Sequence, residues 1–318
     1  MQHAVRDIWF FADTRASSSA PVTFAVEFAK RHGATITFVS VTESAGDRLL
    51  RAPIGQDLVR MLAEDKLQHM LAMEADAQHE LPTGRVQHVV LQGEVGWHTL
   101  TRHALQHLPD LIVLAAQDDA GTDSFGSVSH HLFRKCPVPV WSIPSDLHDF
   151  PGRALIALQP GENASDHRLL SRELLRLAVI LTAGTGIELH VGHAWELWGE
   201  QMIASKYGEE GTRSLLALQH EYARESMEQL MTEARCQELL AGVHFVKGKP
   251  RDAIPQLAQD LGAGVVFLGS AARRGLDGFF IGSVAETIIG RLACSALVVK
   301  RPGFVSPVLA ASSSPLRR

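Results

Sequence analysis

The chain carries one structural unit twice. Near the C-terminus, Val265, Val266, Phe267 and Leu268 form an apolar run that closes on Gly269, and the following stretch, GSAARRGLDGFFIGSVAETIIGRLACSALVVK, runs from Gly269 to Lys300. Residues 111–143, LIVLAAQDDAGTDSFGSVSHHLFRKCPVPVWSI, repeat its order. Gly126-Ser127-Val128 answers Gly282-Ser283-Val284, and Cys136 answers Cys294. A short apolar run ending in glycine predicts a strand buried on both faces, and residues 284–292 have helical apolar spacing. Each copy therefore reads as strand, loop, helix, strand, and a chain built from two such copies has two α/β halves.

The alternation extends outward from each copy. In the first half, strands are expected at 8–12, 35–41, 86–91, 111–115 and 139–143, with helices between them and Gly33 as a C-cap. In the second half, strands are expected at 154–158, 186–194, 243–246, 264–269 and 296–300, with a long helical insert running to residue 240. Strands alternating with helices imply right-handed crossovers and parallel sheets covered on both faces. The expected fold class is α/β, with two tandem doubly wound parallel five-stranded sheets. The Pro- and Asp-rich stretch 144–152, PSDLHDFPG, reads as the linker. The expected division is 1–146, 151–302, and a flexible tail over 303–318.

Composition narrows the function. A length of 318 residues fits roughly two domains, and a formal net charge of −5 gives no basic excess that nucleic acid or an anionic membrane would require. The N-terminal apolar run is short and stops at Asp13, so neither a signal peptide nor a membrane span is expected. Cys136, Cys236 and Cys294 are an odd set without CxxC spacing, which argues against a disulfide framework and a zinc ribbon. A cytoplasmic location is expected.

The second copy resembles the universal stress protein family, whose nucleotide-binding members carry G-x2-G-x9-G-[ST] after the fourth strand. Gly269, Gly282 and Ser283 fall in register with that motif, and Ala272 stands at its second glycine. The segments HLFRKCPVPVW, residues 131–141, and GKPRDAIPQLA, residues 248–258, together with the duplication, resemble the family's tandem type. The resemblance implies the five-stranded doubly wound fold (that of the adenine nucleotide alpha hydrolases) and, in some members, ATP binding with little or no turnover. It also implies an intrachain pseudo-dimer in which the fifth strands, 139–143 and 296–300, meet near a pseudo-twofold axis.

In open α/β sheets ligands bind beyond the carboxyl ends of the strands, at the switch point in strand order. A helix beginning near Ser283 would turn its first amides to that crevice, which suits phosphate. Ser283 and Glu286 also form an S-x-x-E capping box, which needs no ligand to account for it; both readings stand. The expected ligand-binding residues are Gly269, Ser270, Ala272, Arg273, Gly282, Ser283, Val284, Gln159, Lys247 and Lys249. Arg273 and Arg274, with Lys247, Lys249 and Arg251, would make two cationic clusters beside one helix N-terminus. The first half has Asp118, Asp119 and Asp123 in the matching loop and Glu94 after its third strand, which would repel phosphate. Its degenerate site comprises Asp13, Val41, Gly126 and Ser127. The family's acidic residue after the first strand survives as Asp13, whereas Gln159 or Pro160 stands there in the second half.

The histidines, among them His103 and His107, His130 and His131, and His190 and His193, supply no three-ligand spacing, and no metal is expected. No nucleophile–base–orienter arrangement or G-x-S-x-G motif is present, so an enzyme is not expected beyond weak ATP hydrolysis. The inserts between second and third strands are rich in Met and Trp (Met61, Met70, Met73, Trp195, Trp198, Met202, Ile203, Met227, Met231), which core packing explains and an apolar pocket would also use. Two functions follow. One is a stress-response protein whose second half binds ATP or another small anionic or amphiphilic molecule. The other is a scaffold without nucleotide that binds a lipid-like or protein partner. Either leaves room for two chains to associate.

Overall fold

The computed structural model describes residues 5–12, 20–43, 53–93, 95–116, 125–145, 150–160, 165–270, 274–275, 278–279 and 282–311. The first half runs β1 (Asp7–Phe11), α1 (Ala20–His32), β2 (Thr35–Glu43), α2 (Pro53–Glu80), β3 (Val86–Gly93), α3 (Gly96–His107), β4 (Leu111–Ala115), α4 (Gly126–Lys135) and β5 (Val140–Ile143). The second repeats it as β6 (Arg153–Ala157), α5 (Ser165–Thr182), β7 (Glu188–Trp195), α6 (Glu200–Ala234), β8 (Leu240–Lys247), α7 (Pro250–Leu261), β9 (Val265–Ser270), α8 (Ser283–Ile289) and β12 (Ser295–Lys300). A two-stranded hairpin, β10 (Arg274–Gly275) and β11 (Gly278–Phe279), lies between β9 and α8.

Each half has the strand order third, second, first, fourth, fifth, all parallel within the half. The two sheets are joined. β5 and β12 pair antiparallel, with Leu297 opposite Trp141 and Val298 opposite Val140, giving one ten-stranded sheet in the order β3-β2-β1-β4-β5-β12-β9-β6-β7-β8. Fifth strand meets fifth strand, as the tandem pseudo-dimer requires, and the seam leaves no break in the hydrogen-bonded ladder.

The strand sequences account for this burial. Leu111–Ala115, Val140–Ile143 and Ser295–Lys300 are buried at every position, as strands covered on both faces must be. Alternate side chains feed two cores. Ile8 and Phe10 join residues of α1, α2, α5 and α6 on one face, whereas Trp9 and Phe11 join those of α3, α4, α7 and α8 on the other. Both cores cross the seam. In the first, Trp141 meets Phe24 edge-on at 4.8 Å and Phe28 at 5.2 Å between ring centroids.

Of the Met-rich insert residues, Met70, Met73, Met227 and Met231 are buried in that same core, which is the packing account of them. Met61, Trp198 and Met202 are exposed. The expected flexible tail, 303–318, contains ordered structure over its described part. Pro307–Ala311 is a short helix, Val308 is buried, and Ser306 Oγ donates to the carbonyl of Lys135 at 2.7 Å. Residues 312–318 lie outside the described residues.

Candidate functional site

The strand order reverses between β6 and β9, and a cavity of about 900 Å³ opens where these two strands end. Leu158 and Gln159 after β6, Leu268 and Gly269 of β9, and Gly282 to Glu286 at the start of α8 form its walls. Leu170 and Leu174 of α5 and Ile254 of α7 close it on the apolar side. Backbone geometry shapes this end of the site. Gly282 has φ 109° and precedes the helix as its N-cap residue, a conformation that a side chain would strain, and nothing lies within 4 Å of where a Cβ would stand. The first intrahelical bond of α8 runs from the Glu286 amide to the Gly282 carbonyl at 3.1 Å. The amides of Ser283, Val284 and Ala285 therefore have no acceptor within the helix, and these residues line the cavity.

Gly269 has a different reason to be glycine. A Cβ there would lie 2.9 Å from both Cγ and Cδ2 of Leu170, so α5 approaches the sheet more closely than a side chain allows. Helix–sheet packing is sufficient to require this glycine.

The capping box is not formed. Gly282 is the N-cap residue and no side chain caps the helix; Ser283 is its first residue. Glu286 turns to the first half instead, where Arg134 Nε donates to its Oε1 at 2.7 Å. There the carboxylate accepts from a full positive charge instead of from a backbone amide of its own helix.

The structure brings Gln159, Gly269, Gly282, Ser283 and Val284 together around the cavity. Ser270 is buried behind it, where it receives a hydrogen bond from Lys300 Nζ at 3.1 Å. Lys247 and Lys249 are not among the lining residues: Lys247 pairs with Glu200 at 2.6 Å, and Lys249 is the N-cap residue of α7. Ala272 and Arg273 lie outside the described residues, and the side chain of Arg274 is not described either. Among the described lining residues none is Lys or Arg. His167 and Ser171 of α5 do line the cavity, and Ser171 Oγ donates to the Gln159 carbonyl at 3.3 Å. Their position at the start of the helix that follows β6 is the sequence signal that could have found them.

In the first half, Asp13, Glu94, Asp118, Asp119 and Asp123 lie outside the described residues. Val41 is buried and its carbonyl accepts from Lys66 Nζ at 3.0 Å. Gly126 has φ 64° and begins α4, with Ser127 following, and Phe125 before it is fully buried. Of the histidines, His190 Nδ1 lies 3.2 Å from His244 Nε2, and His103 stacks on His107. Among the described residues no group of three or more His, Cys, Asp or Glu is arranged to hold a metal, and no helix is long and apolar enough to cross a membrane.

Two doubly wound halves, the second with a crevice at its switch point, define a tandem α/β protein. The universal stress protein family model matches the chain twice, over residues 6–144 and 164–300, and the chain belongs to that family. It is similar to universal stress protein E of Salmonella typhi, 27% identical over 230 residues that cover 69% of this chain and 71% of the relative. Among solved structures it is similar to a functionally unknown protein from Pseudomonas aeruginosa, with a TM-score of 0.67 at 20% identity, covering 97% of this chain and 95% of the other. A universal stress protein from Archaeoglobus fulgidus gives a TM-score of 0.63 at 19% identity over 93% of this chain and 97% of its own. At such identities the structural likeness speaks for the fold alone.

Proposed function

We propose that this chain is a cytoplasmic stress-response ligand-binding protein with halves 1–146 and 151–302, and that the second half holds ATP or another small phosphorylated or anionic ligand. The observation that carries the reading is the cavity of about 900 Å³ at the β6/β9 switch point, edged by Gly282 in a glycine-only conformation and by the first turn of α8. The apolar walls from Leu158, Leu170 and Ile254 suit a flat ring, while Ser283 and the first-turn amides suit an acceptor-rich group. Arg273, three residues after Ser270 in sequence, would add charge. The proposed activity is binding with at most weak ATP hydrolysis; among the described lining residues Ser171 Oγ donates to the Gln159 carbonyl rather than to a base.

Isothermal titration with ATP, repeated on Ser283→Ala and Gly282→Val, tests this. Binding by the wild type that weakens at least tenfold in Gly282→Val is expected. No heat at millimolar nucleotide would remove ATP from the reading.

One observation favours a second function. Trp198, just before α6, and Met202, in its first turn, are 84% and 62% exposed, which leaves apolar surface on the insert for a protein or lipid partner. Native mass spectrometry of freshly purified protein separates the two: a co-purified nucleotide mass supports the first, and a lipid mass the second.

A further inference from the structure

The cavity of the second half is bordered by a carboxylate that the first half neutralises. Glu286 lines it from the first turn of α8, where an unpaired negative charge would oppose any anion entering. Its partner Arg134 stands in the last turn of α4, a helix of the other half. The pair is partly buried, with side chains 35% and 25% exposed for Arg134 and Glu286. The same turn of α4 holds a second link. The carbonyl of Phe133 accepts from Lys300 Nζ, which also donates to Ser270 Oγ at 3.1 Å. Ser270 ends β9 and Glu286 follows Gly282, so the chain on either side of the 271–281 connection is tied to consecutive residues of one helix turn in the opposite half.

We propose that Arg134 is a specificity-determining residue of the second-half cavity: it sets the charge the cavity presents and makes affinity for an anionic ligand depend on docking of the first half. This rests on the ligand reading given above. With Arg134 in place Glu286 is paired and an anion meets a near-neutral wall. Without it the charge of that carboxylate is left uncompensated beside the cavity. Linkage makes the effect reciprocal, so an anion in the cavity tightens the contact between the halves.

The test compares a charged and a neutral probe, ATP and adenosine, on wild type, Arg134→Met, Arg134→Lys, Glu286→Gln and Arg134→Met/Glu286→Gln, with a thermal midpoint for each. Arg134→Met is expected to lose on the order of tenfold in ATP affinity while adenosine changes little, the size of one charge acting through a few ångströms of partly buried protein. Arg134→Lys should restore ATP binding, and the double variant should recover it too. Glu286→Gln, which leaves Arg134 uncompensated, should raise the preference for ATP several-fold, and it serves if Arg134→Met does not fold. A purely structural role for Arg134 would weaken both probes in proportion, and an unchanged ATP-to-adenosine ratio in Arg134→Met or Glu286→Gln overturns the proposal alone. If the wild type binds neither probe, the ligand reading itself falls, and this inference with it.

Discussion

Lys300 Nζ, at the end of the last strand, donates to the carbonyl oxygen of Phe133 in the last turn of α4. The ammonium thus serves a helix C-terminus that belongs to the other half, where terminal carbonyls lack intrahelical donors and the helix dipole favours positive charge. Lys300 is buried with Ser270 Oγ as its second acceptor and the ring of Phe304 at 5.3 Å. A lysine is rarely placed so deep without such partners.

The pH dependence of stability follows from that burial. Desolvation pulls the Lys300 amine down from 10.5 to about 7, against smaller opposing effects of Cys136 and Glu286. Between those two values the unfolded chain binds more protons than the folded one, so this group's contribution rises with pH, and below about 7 its cost is fully present. The buried thiols of Cys136 and Cys294, both pushed up to about 12 from 9.0, act in the opposite sense once unfolded thiols ionise. The clean window is therefore about pH 7.0 to 8.5. Urea unfolding across it should show a positive slope in the wild type that is reduced in Lys300→Met. Equal slopes would sink the assignment.

Gly269 and Leu170 should be coupled. Gly269→Ala forces a methyl to within 2.9 Å of Leu170 Cγ, and overpacking of this kind costs about 1–3 kcal/mol. Leu170→Ala in the same chain opens the space, so the double variant should be more stable than the sum of the single losses predicts. Additive losses in chemical unfolding would mean that the contact is relieved elsewhere.

Trp141 should be the costliest single truncation at the seam. It pairs with Leu297 in the antiparallel ladder, is almost wholly buried, and packs edge-on against both Phe24 and Phe28. Trp141→Ala is expected to lose about 3–5 kcal/mol. Because the residue belongs to a core that spans both halves, the unfolding transition should move as a whole. A variant in which only the first half melts early would show that the two cores are energetically separate.

The three cysteines should be silent in the native protein. All are buried, and burial raises each thiol, so little thiolate exists near neutral pH. A thiol reagent such as dithionitrobenzoate should release under 0.2 equivalents in minutes without denaturant and about three after unfolding. Rapid native labelling of any one of them would count against that packing.

The sequence by itself determined the class of fold, the duplication and the register of the repeated glycines. Those properties are written locally: continuous apolar runs such as 265–268 must be strands buried on both faces, and the same order of elements twice must give two similar sheets. Gly282 is written in the repeat, whereas its φ of 109° shows only in the structure. Tertiary structure decided the rest. Gly269 looked like a ligand glycine beside its motif partners, but Leu170, on a helix a hundred residues earlier, also explains it. Lys247 looked like a site cation until folding brought Glu200 against it. Ser283 and Glu286 had the spacing of a capping box, a relation three residues long, and lost it to Arg134, 152 residues away in sequence. Spacing along a chain specifies which groups can meet within one helix or strand. Which of them do meet is set in three dimensions: helix packing on the sheet within the second half brings Leu170 to Gly269 and Glu200 to Lys247, and antiparallel pairing of the fifth strands brings Arg134 to Glu286.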